Sequence, residues 1–356
     1  MKRIAILGSI VAAGLMAAGV AAQQGPPPGA GGPPRGNPLP GIATTAEKVS
    51  DNVYKIFGAG GNTTVFVRSD GVTLVDTKLA NNGQAILDVV RTITDKPVTM
   101  IINTHSHPDH MGSNNEINTA RGSVQIVAHA NSAARINAMP NQTQVATTFT
   151  DKLTLGSGRD RIDLYWFGAG HTDGDAFIVF PAEKVMSIGD IMAWDMGPLI
   201  DPGSGGSMVA TPVTLGKAAE AITGVDRVIE GHGDANTWAG FLRYLAYTRK
   251  VVEVARRANA ENLNYVEAYD KYFATDPAMA PYTVDQLKPG LEYGGTPKGR
   301  TYNNLVIAMM ELKGEKPPLL MGAPPPPGQP LPTFGPPGGG GGPRPGGQAP
   351  AADEHL

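Results

Sequence analysis

Six consecutive residues, His105 to His110, read HSHPDH and carry three of the chain's seven histidines together with Asp109. Imidazole and carboxylate bind divalent cations where no thiolate is present, and this sequence contains no cysteine. In an extended segment, residues two apart point the same way, so His105 and His107 can hold one ion together. Pro108 keeps His107 out of the helical region and starts a turn. The turn offsets Asp109 and His110 to a different side, where they can serve a second ion.

More donors lie downstream, each at the end of a segment that reads as a strand. "FGAGHTDGD" offers His171, "VMSIGD" offers Asp190 and "VIEGHG" offers His232. Five of the seven histidines thus fall at strand ends or in the loop directly after one. His129, closing "QIVAH", reads as structural, and His355 lies at the far end of the chain. The bland reading is a surface histidine cluster plus a turn aspartate at Asp190. It gives no reason for the ordering.

That order, Asp76 in "LVDT", then "HSHPDH", "GHT", "IGD" and "GHG", resembles the metallo-β-lactamase superfamily. The motifs run from Val72 to Gly233. The resemblance implies an α+β fold, a four-layer αββα sandwich. In it two mixed β-sheets pack face to face with helices outside, and the metal site lies at one edge of the sheets. By the same resemblance, His105, His107 and His171 match a first zinc site, and Asp109, His110 and His232 match a second. Asp190 resembles the carboxylate that bridges both ions in the glyoxalase II and lactonase branches. Asp76 resembles the residue that holds the ligand loop in place without being a ligand.

Two Zn²⁺ ions are therefore the expected cofactor, iron and manganese being the other ions such a set accepts. A solvent shared between two dications loses its proton near neutral pH, and the resulting hydroxide attacks a carbonyl carbon. Asp109 is expected to orient that nucleophile as well as to ligate. The implied function is an exported dinuclear zinc hydrolase cleaving an ester, lactone, thioester or amide of a small molecule. One alternative is a class B-like β-lactamase. Those enzymes typically have Cys or Ser where Asp190 stands, and no convincing basic residue sits beside Asp190 to receive an antibiotic's carboxylate. The other alternative is a mononuclear iron persulfide dioxygenase, which shares the HxHxDH run and the fold. It holds one iron with two His and an Asp, whereas here His107 and the full second set are retained.

Two loops are candidates for the substrate wall. The segment Ile191 to Ser207 carries Trp194 and no Lys or Arg, and reads as pocket wall or as plain surface loop. "GAGGN", Gly58 to Asn62, reads as a flap over the site, with Asn62 at its end, or as a simple hairpin turn.

Positioning these groups requires a specific succession of elements. "NVYKIFG", "NTTVFVRS" and "GVTLVDTK" are short β-branched or aromatic runs parted by turn residues. "NNGQAILDVVRTITD" has helical spacing, with Asn81 or Asn82 as cap. "PVTMIINTH" is a buried strand that delivers His105. A short helix near 115–120, the strand "VQIVAH" and a helix near Asn131 follow. The second half repeats the rhythm. "DRIDLYWFGAGH" reads as a strand, "DAFIVFPAEKVMSIGD" as a hairpin, "TLGKAAEAITG" as a helix and "VDRVIEGHG" as a strand. Two helices, "NTWAGFLRYLAYTRKVVEVARRANA" and "GRTYNNLVIAMMEL", close it.

The remaining composition sets the limits. Residues 1–22 have a basic start, an apolar stretch and small residues at Val20 and Ala22, the pattern of a cleaved signal peptide. Export to the periplasm or outside follows, with no stable membrane anchoring after cleavage. Residues 23–43 read as a Pro/Gly-rich linker, 44–314 as the hydrolase domain, and 315–356 as a disordered Pro/Gly-rich tail. A 41% hydrophobic content supports a sizeable core, and the formal charge of -3 gives no footprint for nucleic acid. The expected partner is a small-molecule substrate.

Overall fold

The structure, a computed structural model, describes residues 45–287 and 295–331. The expected leader 1–22, the linker 23–43 and the tail beyond 331 lie outside the described residues. Two sheets carry the framework. The first has seven strands in sequence order: β1 (Glu47–Lys48), β2 (Val53–Ile56), β3 (Thr63–Val67), β4 (Val72–Val75), β5 (Val98–Asn103), β6 (Gln125–His129) and β7 (Thr147–Phe149). Its first four strands are antiparallel, and β4 to β7 run parallel. The parallel steps β4–β5 and β5–β6 are crossed by helices α1 (Gly83–Ile93), α2 (Pro108–Met111) and α3 (Asn114–Arg121), and α4 (Ala130–Ala138) follows β6.

The second sheet comprises β8 (Lys152–Leu155), β9 (Ile162–Tyr165), β10 (Phe177–Phe180), β11 (Val185–Gly189), β12 (Arg227–Glu230) and β13 (Ala235–Thr237). Its order is β13-β12-β11-β10-β9-β8, antiparallel except for the pair β11–β12. Helix α5 (Thr211–Ala221) makes that crossover, and α6 (Trp238–Glu261), α7 (Tyr265–Ala268) and α8 (Pro297–Leu312) cover the sheet.

Side-chain alternation along single strands separates three apolar layers. On β10, Ile178 and Phe180 enter the layer between the sheets, while Phe177 and Val179 enter the one under α5, α6 and α8. On β5, Met100 and Ile102 face the second sheet, and Ile101 joins Ile86, Val90, Ile117 and Ile136 of the outer helices. Phe66 and Phe180 meet across the sheets with ring centroids 4.7 Å apart. Truncating such a fully buried ring costs about 3–5 kcal/mol. The arrangement is the expected four-layer αββα sandwich.

Three features depart from the sequence reading. The edge strands β7 and β13, three residues each, carry too few apolar residues to show a period, and β8, KLTL, alternates over only four. Asn82 caps α1 only by position, because its side chain makes no cap bond and Glu116 instead receives the backbone N–H groups of Asn81 and Gly83. The stretch 315–331, whose composition predicts a disordered tail, is ordered against the domain. It is irregular but packed: Leu320 is buried, Asn303 donates to the carbonyl of Leu320 at 3.2 Å, and the Tyr265 hydroxyl donates to that of Pro325 at 2.7 Å. Proline lacks an N–H, so such a segment can lie against a domain without sheet or helix bonds.

Candidate metal centre

The C-terminal ends of the parallel pairs β4–β5 and β11–β12, together with the loop after β9, supply all the donor groups. Asp76 follows β4, β5 runs into His105 and His107, and α2 begins at Pro108 with His107 extended ahead of it (φ -71°, ψ 143°). This is the geometry expected of a residue before proline. His171 lies in the loop between β9 and β10, Asp190 follows β11 and His232 follows β12.

These residues form two groups. His105, His107 and His171 bring one ligand atom each within 4.8 Å of one another, and so do Asp109, His110 and His232. In the first group, His107 Nδ1 and His171 Nε2 lie 2.9 Å apart. In the second, His110 Nε2 and His232 Nε2 lie 3.3 Å apart, with Asp109 Oδ2 3.1 Å from His232 Nε2. Asp190 stands between the groups. Its Oδ1 is 3.1 Å from His110 Nε2, and its Oδ2 is 3.4 Å from His232 Nε2 and 3.9 Å from His171 Nε2.

Hydrogen bonds behind the rings decide which nitrogen faces inward. Asp76 accepts from the Thr104 N–H at 2.8 Å, the Thr104 hydroxyl at 2.7 Å and His110 Nδ1 at 2.7 Å. Because the Thr104 proton is committed to Asp76, its oxygen receives His105 Nδ1–H at 3.0 Å. His171 Nδ1 donates to the Leu199 carbonyl at 2.5 Å, and His107 Nε2 donates to Asp201 at 2.9 Å. In its neutral form each of these four rings is thereby left with a lone pair directed at the centre. Lone pairs that converge at about 3 Å repel unless a cation lies between them. His105 Nε2 is buried and makes no hydrogen bond, which is the state of a ligand atom. The residues present therefore fit two metal ions held by nitrogen and oxygen alone.

Electrostatics do not follow this division: burial opposes the charge on His107 and His110, but Asp201 raises the pKa of the first and Asp190 that of the second. Burial and the neighbouring imidazoles hold His105 well below its ordinary value, and burial takes His171 down to about 4, so both are neutral ligands. Around His232 burial opposes the charge, but Asp190 and Asp109 raise its pKa to about 9. Burial likewise opposes ionisation of Asp109, yet His110 and His232 hold it below the usual carboxylate range. Asp175 is buried under the His171 loop, where it accepts from the Thr172 N–H and hydroxyl, and burial pushes its pKa up to about 7.

Two residues unremarked in the sequence belong to the site. Asp201 orients His107, and Asp175 holds the loop of His171. The signal for Asp201 is general, since a ligating imidazole needs an acceptor behind it, but nothing in the sequence says which aspartate supplies it; Asp175 bonds only within its own turn, to Thr172. The two loop candidates also resolve. Residues 191–194, 196, 199 and 200 are buried, and Trp194 stacks on His232 with centroids 4.4 Å apart at 15°. Trp194, Leu199 and Asp201 line a cavity of about 230 Å³ together with His107, Asp109 and His232. Asn62 is a correction: it does not face this cavity. Its side-chain amide donates to the carbonyls of Glu230 and Gly233, both at 3.0 Å, and it therefore fixes the loop of His232. The Gly58–Asn62 turn is pinned rather than hinged, because Gly61 N–H donates to Asp109 O and Asn62 N–H to Gly231 O. His129 is structural; it stacks on Trp166 and bonds to Thr150.

Comparison with known proteins finds similarity to one family. The family model described as Metallo-beta-lactamase superfamily matches residues 57–206. The metallo-beta-lactamase type 2 of Elizabethkingia meningoseptica is 27% identical over 155 residues, covering 41% of this chain and 61% of that protein. The chain thus spans less than two thirds of that relative's length. The metallo-beta-lactamase type 2 of Bacteroides fragilis is 26% identical over 219 residues, covering 58% of this chain and 84% of that protein. A solved metallo-beta-lactamase from Pontibacter korlensis superposes with a TM-score of 0.48 at 18% identity, covering 57% of this chain and 98% of that one.

Proposed function

We propose that the chain is a member of the metallo-beta-lactamase superfamily and, from that premise, an exported dinuclear zinc hydrolase of a small, uncharged ester, lactone, thioester or amide. The observation that carries this reading is the position of Asp190, with one carboxylate within 4 Å of ring nitrogens from both groups. His105, His107 and His171 would hold one ion, Asp109, His110 and His232 the other, and Asp190 both. Two bound dications supply the acidification of a water and the polarisation of a carbonyl oxygen.

The chain's own residues supply the rest. Asp109 lines the cavity as an ionised acceptor, able to take a hydrogen bond from the attacking water and so aim it. Asp76, through His110 and Thr104, keeps the ligand atoms fixed while charge develops. Trp194 closes one side of the cavity and restricts solvent around the reacting carbonyl. Export rests on the character of residues 1–22.

The relatives' names favour a second reading, a β-lactamase. The cavity lining contains Asp109 and Asp201 and no Lys or Arg, which suits a neutral substrate better than one bearing a carboxylate. Metal stoichiometry on the purified protein, followed by a panel of esters, lactones, thioesters and nitrocefin, tests the proposal. Two zinc ions per chain and turnover lost on chelation are expected. One iron per chain with oxygen uptake would favour the dioxygenase instead, and efficient nitrocefin turnover would favour the lactamase. Undiminished hydrolysis after complete chelation would overturn metal catalysis altogether.

A further inference from the structure

We propose that the segment leaving α8 forms part of the substrate pocket, where Leu319 and Met321 select a substrate with an aliphatic group beside its scissile carbonyl. This rests on the hydrolase reading for the word substrate, but the pocket itself is argued from packing. The sequence here is KPPLLMGAPPPP, from Lys316, a composition that by itself favours no fixed place on the molecule. It is nevertheless anchored. Leu320 is 3% exposed within the apolar layer of α6 and α8, and Asn303 of α8 donates to the carbonyls of both Leu320 and Gly322. Pro317 and Pro318 hold the approach extended.

An extended segment sends alternate side chains to opposite sides. With Leu320 directed into the core, Leu319 and Met321 face the other way, and both line the cavity over the metal centre. Trp194, Leu199 and Leu79 complete the apolar lining, and the polar part, the floor, is made by His107, Asp109 and His232. The cavity therefore offers reactive and apolar groups within one small volume. A carbonyl held at the floor directs its substituent between Leu319, Met321 and Trp194. A volume of about 230 Å³ falls below the usual range for drug-sized ligands, so the group selected is a short aliphatic chain.

The test uses the full-length, zinc-loaded protein and three simple carboxylates, acetate, butanoate and hexanoate, whose binding is measured by calorimetry. Each buried methylene strengthens binding by up to about fourfold, so hexanoate should bind the wild-type protein at least about tenfold more tightly than acetate. Leu319→Asn with Met321→Gln should bring that ratio close to one at unchanged zinc content. Both positions are only half-buried, so folding should survive; a second variant ending at residue 315 should show the same loss of ratio. Equal discrimination in wild type and both variants, or none in the wild type, would overturn the inference. The two readings fail separately. Ester turnover without any chain-length preference sinks the pocket alone. A hexanoate preference that vanishes in the variants, in a protein that cleaves no ester, sustains the pocket and sinks the hydrolase.

Discussion

His107 Nε2 donates to Asp201 Oδ2 at 2.9 Å, across 94 residues of chain. The contact orders His107 so that Nδ1 is the atom turned toward His105 and His171. Burial opposes the charge on Asp201, but the His107 bond holds its carboxyl below the usual range, so the acceptor is ionised. Removing it with Asp201→Ala frees the ring to rotate and to change tautomer. Zinc affinity at the first group is expected to fall about 10–100-fold, read by competition with a chelator of known affinity. Asp201→Asn, which keeps an acceptor oxygen, should recover part of the loss. Unaltered affinity in the alanine variant would assign Asp201 to the cavity wall only.

Asp76 makes the larger claim, because one buried carboxylate serves ligands on both sides. It takes three donors, orders His110 directly and orders His105 through Thr104. Its backbone is left-handed at φ 62°, a region Asn tolerates better than Ala, so Asp76→Asn isolates the side chain's effect. The variant turns an amide donor or a weaker acceptor toward groups that need an anion. Unfolding by urea should show a loss of about 1–3 kcal/mol, and two-site zinc binding should weaken at both sites together. Weakening at one site only would show that Thr104 does not couple Asp76 to His105.

Much of this was legible in the sequence, and the reason is local. The donors His105, His107, Asp109 and His110 sit in one short run, and His171, Asp190 and His232 each close a β-type segment, so strand periodicity and motif order carried the information. The supporting residues were not legible. Asp201 acts across 94 residues through geometry that only the fold brings about, Asp175 is a local turn acceptor whose burial no motif announces, and Asn62 makes its bonds to backbone carbonyls, which any sequence supplies. The segment 315–331 shows the opposite limit. Its proline content argues against a core, yet Leu320 packs into the apolar layer of α6 and α8 while Asn303 and Tyr265 bond its carbonyls, and together these anchor it.

Gly231 tests how closely the second sheet crowds Asp190. A β-carbon at this position would lie 1.8 Å from Asp190 Oδ1, 2.6 Å from the Gly189 carbonyl carbon and 2.7 Å from the Asp190 nitrogen. Two of those neighbours are backbone and cannot step aside. Gly231→Ala therefore displaces Asp190 from its place between the two groups. A shift of about 1 Å at a reacting centre costs on the order of 100-fold in rate. The expected result is zinc content falling from two toward one per chain, by elemental analysis, with at least that loss in kcat. Two tightly held zincs in this variant would show that Asp190 is not needed to bridge them.

Lys78 gives the pH dependence. It is fully buried beneath the Gly58–Asn62 turn, donating to the carbonyls of Ile56 and Gly61, both at 2.8 Å. Burial lowers its pKa from 10.5 to about 7, with Asp76 opposing the shift. The sign follows from proton counting. Between about pH 7 and 10.5 the unfolded chain keeps a proton on Lys78 that the folded chain has released, so unfolding becomes harder as pH rises. Below about pH 7 both states are protonated, and the full penalty for burying the ammonium is present. Lys78→Met has no such group. Measured by urea unfolding at pH 7, 8 and 9, the stability of the wild type relative to the variant should climb by up to about 1.4 kcal/mol per pH unit. A flat difference would mean that Lys78 stays charged in the folded protein, held by carbonyl dipoles and Asp76 against its burial.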